Sequence, residues 1–248
     1  MGRKMEWAAR GSHLGGIPRK MVFMAVGAFA KAVATVFNTT SVHNADTLFR
    51  LVRSRPPGVP LITVSNHMST LDDPVMWGFS GFPVADANLA RWVLAAEDIC
   101  FKNIVLSYFF RLGKCIPITR GAGIYQEHMN EALDRLSDGA WVMPENFWFG
   151  RRPPVPLFNK NIKIIIGEPV EFDFTELRRL AMAMSGDSSF REGGGSGKGC
   201  TGGGGGGSSS SAHGLDEAAQ RCLYTIISER IRSVMERLRT YGKTLRKP

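Results

Sequence analysis

Apolar positions along the chain fall into short runs separated by breaks rich in proline, glycine and polar residues. The longest run, Met21 to Phe37, is interrupted by Lys31 and is slightly short for a membrane span. It reads as a helix lying on or dipping into a membrane, and a run of this length also suits a core helix of a soluble domain. No small-residue cleavage site of a secretory signal follows it. After the turn-rich stretch from Arg53 to Pro60, the β-branched run Leu61-Ile-Thr-Val64 predicts a buried strand. Asp73 and Pro74 then look like an N-cap followed by proline at the first helical position, with Val75, Met76, Trp77 and Phe79 as the apolar content of that helix. Trp92 to Ala95 predicts another strand, and Ile99 to Leu112 an apolar segment whose rings, Phe101, Tyr108, Phe109 and Phe110, are assigned to the core.

Cys115 to Ile118 reads as a short strand, and Ile124 to Leu136 as an amphipathic helix with Met129, Ala132, Leu133 and Leu136 on one face. Ile162 to Ile166 reads as a strand closed by Gly167-Glu168-Pro169. Strands alternating with helices indicate an α/β layered domain. From Gly193 to Gly214 the composition collapses largely to Gly and Ser, which predicts a disordered linker. Beyond it, Leu215 to Tyr241 places Cys222, Ile226, Ile227, Ile231, Val234 and Leu238 on one helical face, with arginines largely elsewhere. Such a basic amphipathic helix suits a membrane surface and suits docking onto a protein core equally well.

Composition sharpens this picture in two ways. The 248 residues are 44% apolar and 21% charged, the balance of a globular domain able to bury a core. The net charge of +9 points to polyanionic partners, either nucleic acid or an anionic membrane face. No aromatic-basic RNA motif or recognition-helix pattern accompanies the charge, so nucleic acid is not expected as a partner. The basic residues Arg3, Lys4, Arg10, Arg19 and Lys20 stand against the single acid Glu6 before the long apolar run, an arrangement suited to anionic head groups. Cys100, Cys115, Cys200 and Cys222 show neither metal-site nor disulfide spacing, so no metal is expected and a reducing compartment fits.

Chemistry concentrates in one place. His67 and Asp72, with four residues between them at the end of the strand at Leu61 to Val64, form the minimum apparatus for activating a hydroxyl. The imidazole accepts the proton as attack begins, and the carboxylate fixes its tautomer and stabilises the imidazolium. By spacing alone Asp72 also reads as a turn or capping residue, a part for which Asp73 competes.

The segment Asn66-His67-Met68-Ser69-Thr70-Leu71-Asp72-Asp73-Pro74 resembles the first motif of the glycerolipid acyltransferases in its tafazzin form. Ser41-Val-His-Asn44, Ala95-Ala-Glu-Asp-Ile-Cys-Phe101, Gly113-Lys-Cys-Ile-Pro-Ile-Thr-Arg120-Gly121 and Gly167-Glu-Pro169 are similar to plant tafazzin-like proteins. The resemblance covers roughly residues 1–174 with one break. It implies a layered acyltransferase-like α/β domain, with His67 as general base and Asp72 as its partner. It implies as well that Gly113 and Arg120 bracket a second motif that binds the acceptor's phosphate. Guanidinium suits phosphate through two parallel charge-assisted bonds, although Arg120 also reads as a solvated turn residue. The implied donor is acyl-CoA, a substrate and not a bound cofactor, or an acyl chain on another phospholipid. The implied acceptor is a lysophospholipid hydroxyl or the amine of phosphatidylethanolamine. The implied partners are membrane phospholipids, lysophospholipids and the membrane surface, and the implied location is a membrane facing a reducing compartment, a mitochondrial membrane by resemblance.

After Val142 the family continues into a Phe-Pro-Glu-Gly motif, a basic stretch and a further buried strand, whereas this chain passes directly to Met143-Pro144-Glu145-Asn146. Several tens of family residues are therefore expected to be missing, which predicts a gap beside the His67 loop. The resulting plan is a basic N-terminus and membrane-associated helix at 1–40, an internally truncated acyltransferase domain at 41–185, a linker at 186–214 and a C-terminal helix at 215–248. Two functional readings follow: a phospholipid-remodelling O-acyltransferase of the tafazzin type, and a catalytically impaired membrane-associated variant of one.

Overall fold

The computed structural model describes residues 4–66, 72–144, 158–186 and 215–245. The Gly/Ser tract with Cys200, the segment 145–157 with Glu145, and residues 67–71 with His67 lie outside the described residues, as does the side chain of Asp72. The chain divides into two compact units, Met1–Ile166 and Gly167–Pro248, so the unit boundary falls inside the stretch 41–185 expected as one domain.

The first unit is a mixed α/β domain. In chain order, 3-10 turns at Glu6–Ala9 and His13–Gly16 precede α1 (Ile17–Lys31), which continues as a π-helical turn at Ala32–Val36. Then follow β1 (Thr39–His43), α2 (Ala45–Arg53), β2 (Leu61–Ile62), α3 (Asp72–Met76), β3 (Trp92–Ala96), α4 (Glu97–Cys100) and α5 (Ile104–Leu112). The unit closes with β4 (Cys115–Ile118), α6 (Glu127–Ser137), β5 (Trp141–Met143) and β6 (Asn161–Ile165). Helix α1 has 15 residues, about 22 Å at the α-helical rise, and no helix among the described residues is long and apolar enough to cross a membrane.

Four strands form an all-parallel sheet in the order β2-β5-β3-β4, and β1 pairs in parallel with β6 in a separate two-stranded sheet. The break expected after Val142 lies inside β5. Trp141, Val142 and Met143 form one continuous buried strand, with Ile62 on one side of Val142 and Trp92 on the other. Thr63 extends the pairing by donating its N–H to the Val142 carbonyl at 3.2 Å. A three-residue strand thus joins β2 to β3, whereas the space beside the His67 loop, where a gap is expected, lies outside the described residues.

Strand alternation sends the residues of β5 to opposite faces. Trp141 and Met143 join Ala30, Leu48, Val52, Trp77, Phe79, Phe82 and Val84 in one core layer. Val142 joins Ala9, Trp92, Leu94, Ile116 and Ala132 in the other. Helices α1 and α2 thus line one face of the sheet, and α6 with the N-terminal turn lines the other. Gly78 makes the first layer possible, since a Cβ there would lie 2.1 Å from the Ala30 carbonyl oxygen of α1. Three expectations of burial fail. The run read as a buried strand keeps only Leu61–Ile62 as β2, with Ile62 and Val64 exposed; Leu133 of α6 is exposed; and of the rings in the apolar segment Phe101 is buried while Phe109 is exposed.

One polar interaction crosses the second layer. The Arg111 guanidinium donates to both Glu131 carboxylate oxygens at 2.8 and 3.0 Å, with both side chains 0% exposed. It also donates to the Cys115 carbonyl at 3.0 Å and the Met5 carbonyl at 3.4 Å, tying the N-terminal segment, α5, β4 and α6 together. Burial acts to raise the Glu131 pKa, but the facing His128 and the bonds and charges of Arg111 and Arg135 outweigh it and hold the carboxyl below its ordinary range.

In the second unit, α7 (Phe174–Gly186) packs against the first half of α8 (Glu217–Thr244) through Ala181, Leu215, Ala219, Cys222 and Leu223. Asp216 caps α8 by accepting from the Ala219 N–H at 2.6 Å. The amphipathic face read at the C-terminus therefore covers a helix of its own unit along Cys222 to Ile227.

Because removing one partner of a buried pair strands the other charge, Arg111→Met is expected to lower the unfolding free energy by about 3–5 kcal/mol in a urea titration. The Glu131 carboxyl is depressed in the folded state, so its contribution is present above the ordinary glutamate range and is lost as pH falls through the folded value. Glu131→Gln should accordingly be less stable than wild type at neutral pH and lose less on acidification, read by the same titration repeated across pH.

Candidate active site

The four strands of the larger sheet are parallel, so their C-terminal ends share one edge. The motif loop leaves β2 at that edge, α4 follows β3 there, and Arg120 follows β4 there. Loops at this edge of an open parallel sheet are the usual place for ligands. The contact of His67 with Asp72 lies outside the described residues.

The described end of the motif nevertheless bears on the choice between Asp72 and Asp73. The Asp73 carboxylate accepts from Arg91 Nε at 3.0 Å and Nη2 at 2.5 Å, and from Trp77 Nε1 at 3.3 Å. Arg91 Nη2 also donates to the Asp73 carbonyl at 3.0 Å, and the guanidinium stacks 4.6 Å from the Trp77 ring centre. Arg91 directly precedes β3, so the motif returns over the sheet and is anchored beside the start of that strand. Asp73 is thereby committed to a structural clamp. Spacing alone carries no sign of this clamp, because Arg91 lies 18 residues downstream.

Arg120 sits elsewhere on the sheet. It is ion-paired with Asp98 of α4, and the guanidinium holds the Asp98 carboxyl below its ordinary range against a smaller opposing effect of burial. Arg120 follows the C-terminal end of β4, whereas the clamp stands at the residue before the neighbouring β3, at the other end of that strand pair, so Arg120 is not beside the clamped end of the motif. Neighbouring Glu97 accepts from Lys4 Nζ at 3.1 Å and from the Thr119 hydroxyl at 3.3 Å, and the Lys4 bond, partly opposed by burial, keeps its carboxyl below the usual range. Sequence places Lys4 only in the basic N-terminal cluster and Glu97 only in a stretch of resemblance; their bond brings the N-terminus to the shared edge.

Gly113 is not brought to that edge. It caps α5 at the opposite end of β4, donating its N–H to the Phe109 carbonyl at 3.0 Å, and a Cβ there would crowd the Phe110 carbonyl at 3.3 Å. The Cys115 thiol nearby is pushed up, first by burial and then by the Asp73 charge, so it is protonated at neutral pH and offers no thiolate nucleophile.

A family model described as Acyltransferase matches residues 40–145. The chain is 51% identical to N-acylphosphatidylethanolamine synthase of Arabidopsis thaliana over 294 residues, covering 99% of this chain and 100% of that protein. That alignment is longer than the 248-residue chain, so part of the Arabidopsis protein has no counterpart here. Tafazzin of Drosophila melanogaster is 44% identical over 124 residues, 50% of this chain and 33% of that protein. Taffazin of Dictyostelium discoideum is 43% identical over 130 residues, 51% of this chain and 45% of that protein. The tafazzin resemblance is therefore partial, whereas the likeness to the Arabidopsis protein runs along its whole length.

If the Arg91 clamp sets the position of Asp72, Arg91→Ala should lower turnover about 10- to 100-fold in an acyl-transfer assay while circular dichroism shows an unchanged fold. Arg91→Lys, which keeps the charge but loses the fork, should recover only part of that loss.

Proposed function

The chain belongs to the acyltransferase family, and on that premise we propose that it transfers a fatty acyl chain to a phospholipid-type acceptor, with His67 as general base and Asp72 as its partner. The observation that carries the assignment is the commitment of Asp73 to Arg91 and Trp77, which leaves Asp72 for the histidine. In this reading His67 takes the proton of the acceptor's hydroxyl or amine as that atom attacks the acyl carbonyl. The tetrahedral adduct collapses, and the imidazolium returns the proton to the departing thiolate or alkoxide. The donor is acyl-CoA or a second phospholipid. The acceptor is the amine of phosphatidylethanolamine, favoured by the full-length likeness, or a lysophospholipid hydroxyl as in a tafazzin-type O-acyltransferase, favoured by the likeness over the half that carries the motif. Arg120 at the shared edge is the proposed phosphate contact, which requires it to exchange Asp98 for the substrate; Gly113 acts by ending α5 and setting the entry to β4. The enzyme works on lipids at a membrane facing a reducing compartment, a mitochondrial membrane by the tafazzin resemblance.

The test is transfer of a labelled acyl chain in liposomes containing phosphatidylethanolamine or lysophospholipid. Wild type should exceed His67→Ala by at least about 100-fold, the usual scale of a general base. Equal background in the two proteins would instead assign the chain to the catalytically impaired, membrane-associated reading, and a chain with the missing family segment restored would then regain activity.

A further inference from the structure

Helix α5 has the wrong face in solvent for a helix that meets water. Its sequence is Ile-Val-Leu-Ser-Tyr-Phe-Phe-Arg-Leu, and its inward positions include the polar Ser107 and Arg111, the latter held by Glu131. Its outward positions are Ile104 at 75% exposure, Val105 at 73%, Leu106 at 37% and Phe109 at 40%. The solvent side of a surface helix normally carries the charged residues. Here every charged residue of the helix is inside.

The surface continues into the N-terminal segment. Trp7, half-exposed, lies 5.8 Å from the Tyr108 ring of α5, whose hydroxyl is 2.9 Å from His13 Nε2. Leu14, Ile17 and Met21 follow, all exposed, and from Met21 to Ala30 α1 contains no polar side chain. In the same segments Arg10, Lys20, Lys31 and Lys102 are exposed and Glu6 is the sole acidic residue of 4–31 and 101–112, while Glu97 and Asp98 of the preceding α4 are each paired with a cation, Lys4 and Arg120. Exposed aliphatic side chains, a Trp–Tyr pair and a cationic rim are what the interface of an anionic bilayer accepts. A second copy of the chain is a poor occupant, because pairing this face with itself would oppose two cationic rims.

We propose that the outward face of α5, with Trp7 and the exposed side of α1, is the surface by which this protein docks on an anionic phospholipid bilayer. This rests on the lipid acyltransferase reading and adds a location to it. Helix α5 begins just after α4, so its most exposed residues, Ile104 and Val105, stand at the sheet edge from which the motif loop departs and at which Arg120 lies. Docking there sets the bilayer surface against that edge, and an acyl chain reaches it without crossing water.

The test is flotation of the full chain with vesicles of phosphatidylcholine alone or mixed with phosphatidylglycerol, compared with Ile104→Glu/Val105→Glu, Lys102→Glu and the control Leu133→Glu on α6. Wild type should float with the anionic vesicles and release with added salt. The double variant should bind at least tenfold more weakly with an unchanged melting temperature, because both side chains are solvent-facing, while Lys102→Glu weakens binding less and Leu133→Glu leaves it unchanged. Wild-type flotation by the double variant and by Lys102→Glu overturns the proposal, as does a double variant that changes oligomeric state but not vesicle binding. A chain that floats as expected yet transfers no acyl group leaves the docking face standing and removes the enzymatic reading; one that transfers acyl groups with unaltered flotation in the variants does the reverse.

Discussion

The buried pair of Arg111 and Glu131 is the constraint on which the arrangement of the first unit depends. Two charges at 0% exposure are tolerable only when their hydrogen-bonding groups are paired, and here Nη2 donates to both Glu131 oxygens while Nη1 and Nε donate to the Cys115 and Met5 carbonyls. The geometry leaves little freedom. With Arg111 turned toward α6, Ser107 turns inward with it, and the helical repeat sends Val105 and Phe109 outward. The bond that closes the core therefore also decides which face of α5 is apolar to solvent, and the Met5 carbonyl on the same guanidinium draws the N-terminal segment alongside.

A second constraint acts at the motif. The Asp73 carboxylate is occupied by the Arg91–Trp77 clamp. Arg91 leads into β3, whose residues pair with both β5 and β4, so the clamp refers the motif to the middle of the sheet and not to a loose surface loop. Trp77 in turn packs edge-on against Trp141 of β5 at 5.1 Å, which places the clamp on the first core layer.

The strands at Trp92 to Ala96, Cys115 to Ile118 and Asn161 to Ile165 were legible because each is an apolar or β-branched run bounded by turn residues. Strand β1 was not, since Thr39-Thr-Ser-Val-His43 has little apolar content and gains its structure from pairing with β6. Helices α2 and α7 were passed over, and β5 is too short to show a period at all. The exposure of Leu133 and Phe109 has one cause: apolar character marks where a residue prefers to be, and tertiary packing decides which side of a helix is covered. At the site, the histidine and aspartates were visible as a motif, whereas the Arg91 clamp and the pairing of Glu97 with Lys4 were not. These arise from contacts 18 to 93 residues apart in sequence, and no local pattern encodes them.

Losing an internal stretch from a layered domain would ordinarily open a cavity, at a cost that grows with its volume. At Val142 and Met143, where the shortening is expected, one short strand pairs on both sides and sends Trp141 and Met143 to one core layer and Val142 to the other. If the activity of this chain is reduced, the deficit lies in polar groups that the missing residues would have aimed at the acceptor or the developing oxyanion, for which a well-packed sheet is no substitute. A general base with its partner supplies only part of a transfer reaction's acceleration, and the rest depends on charges positioned where the transition state forms.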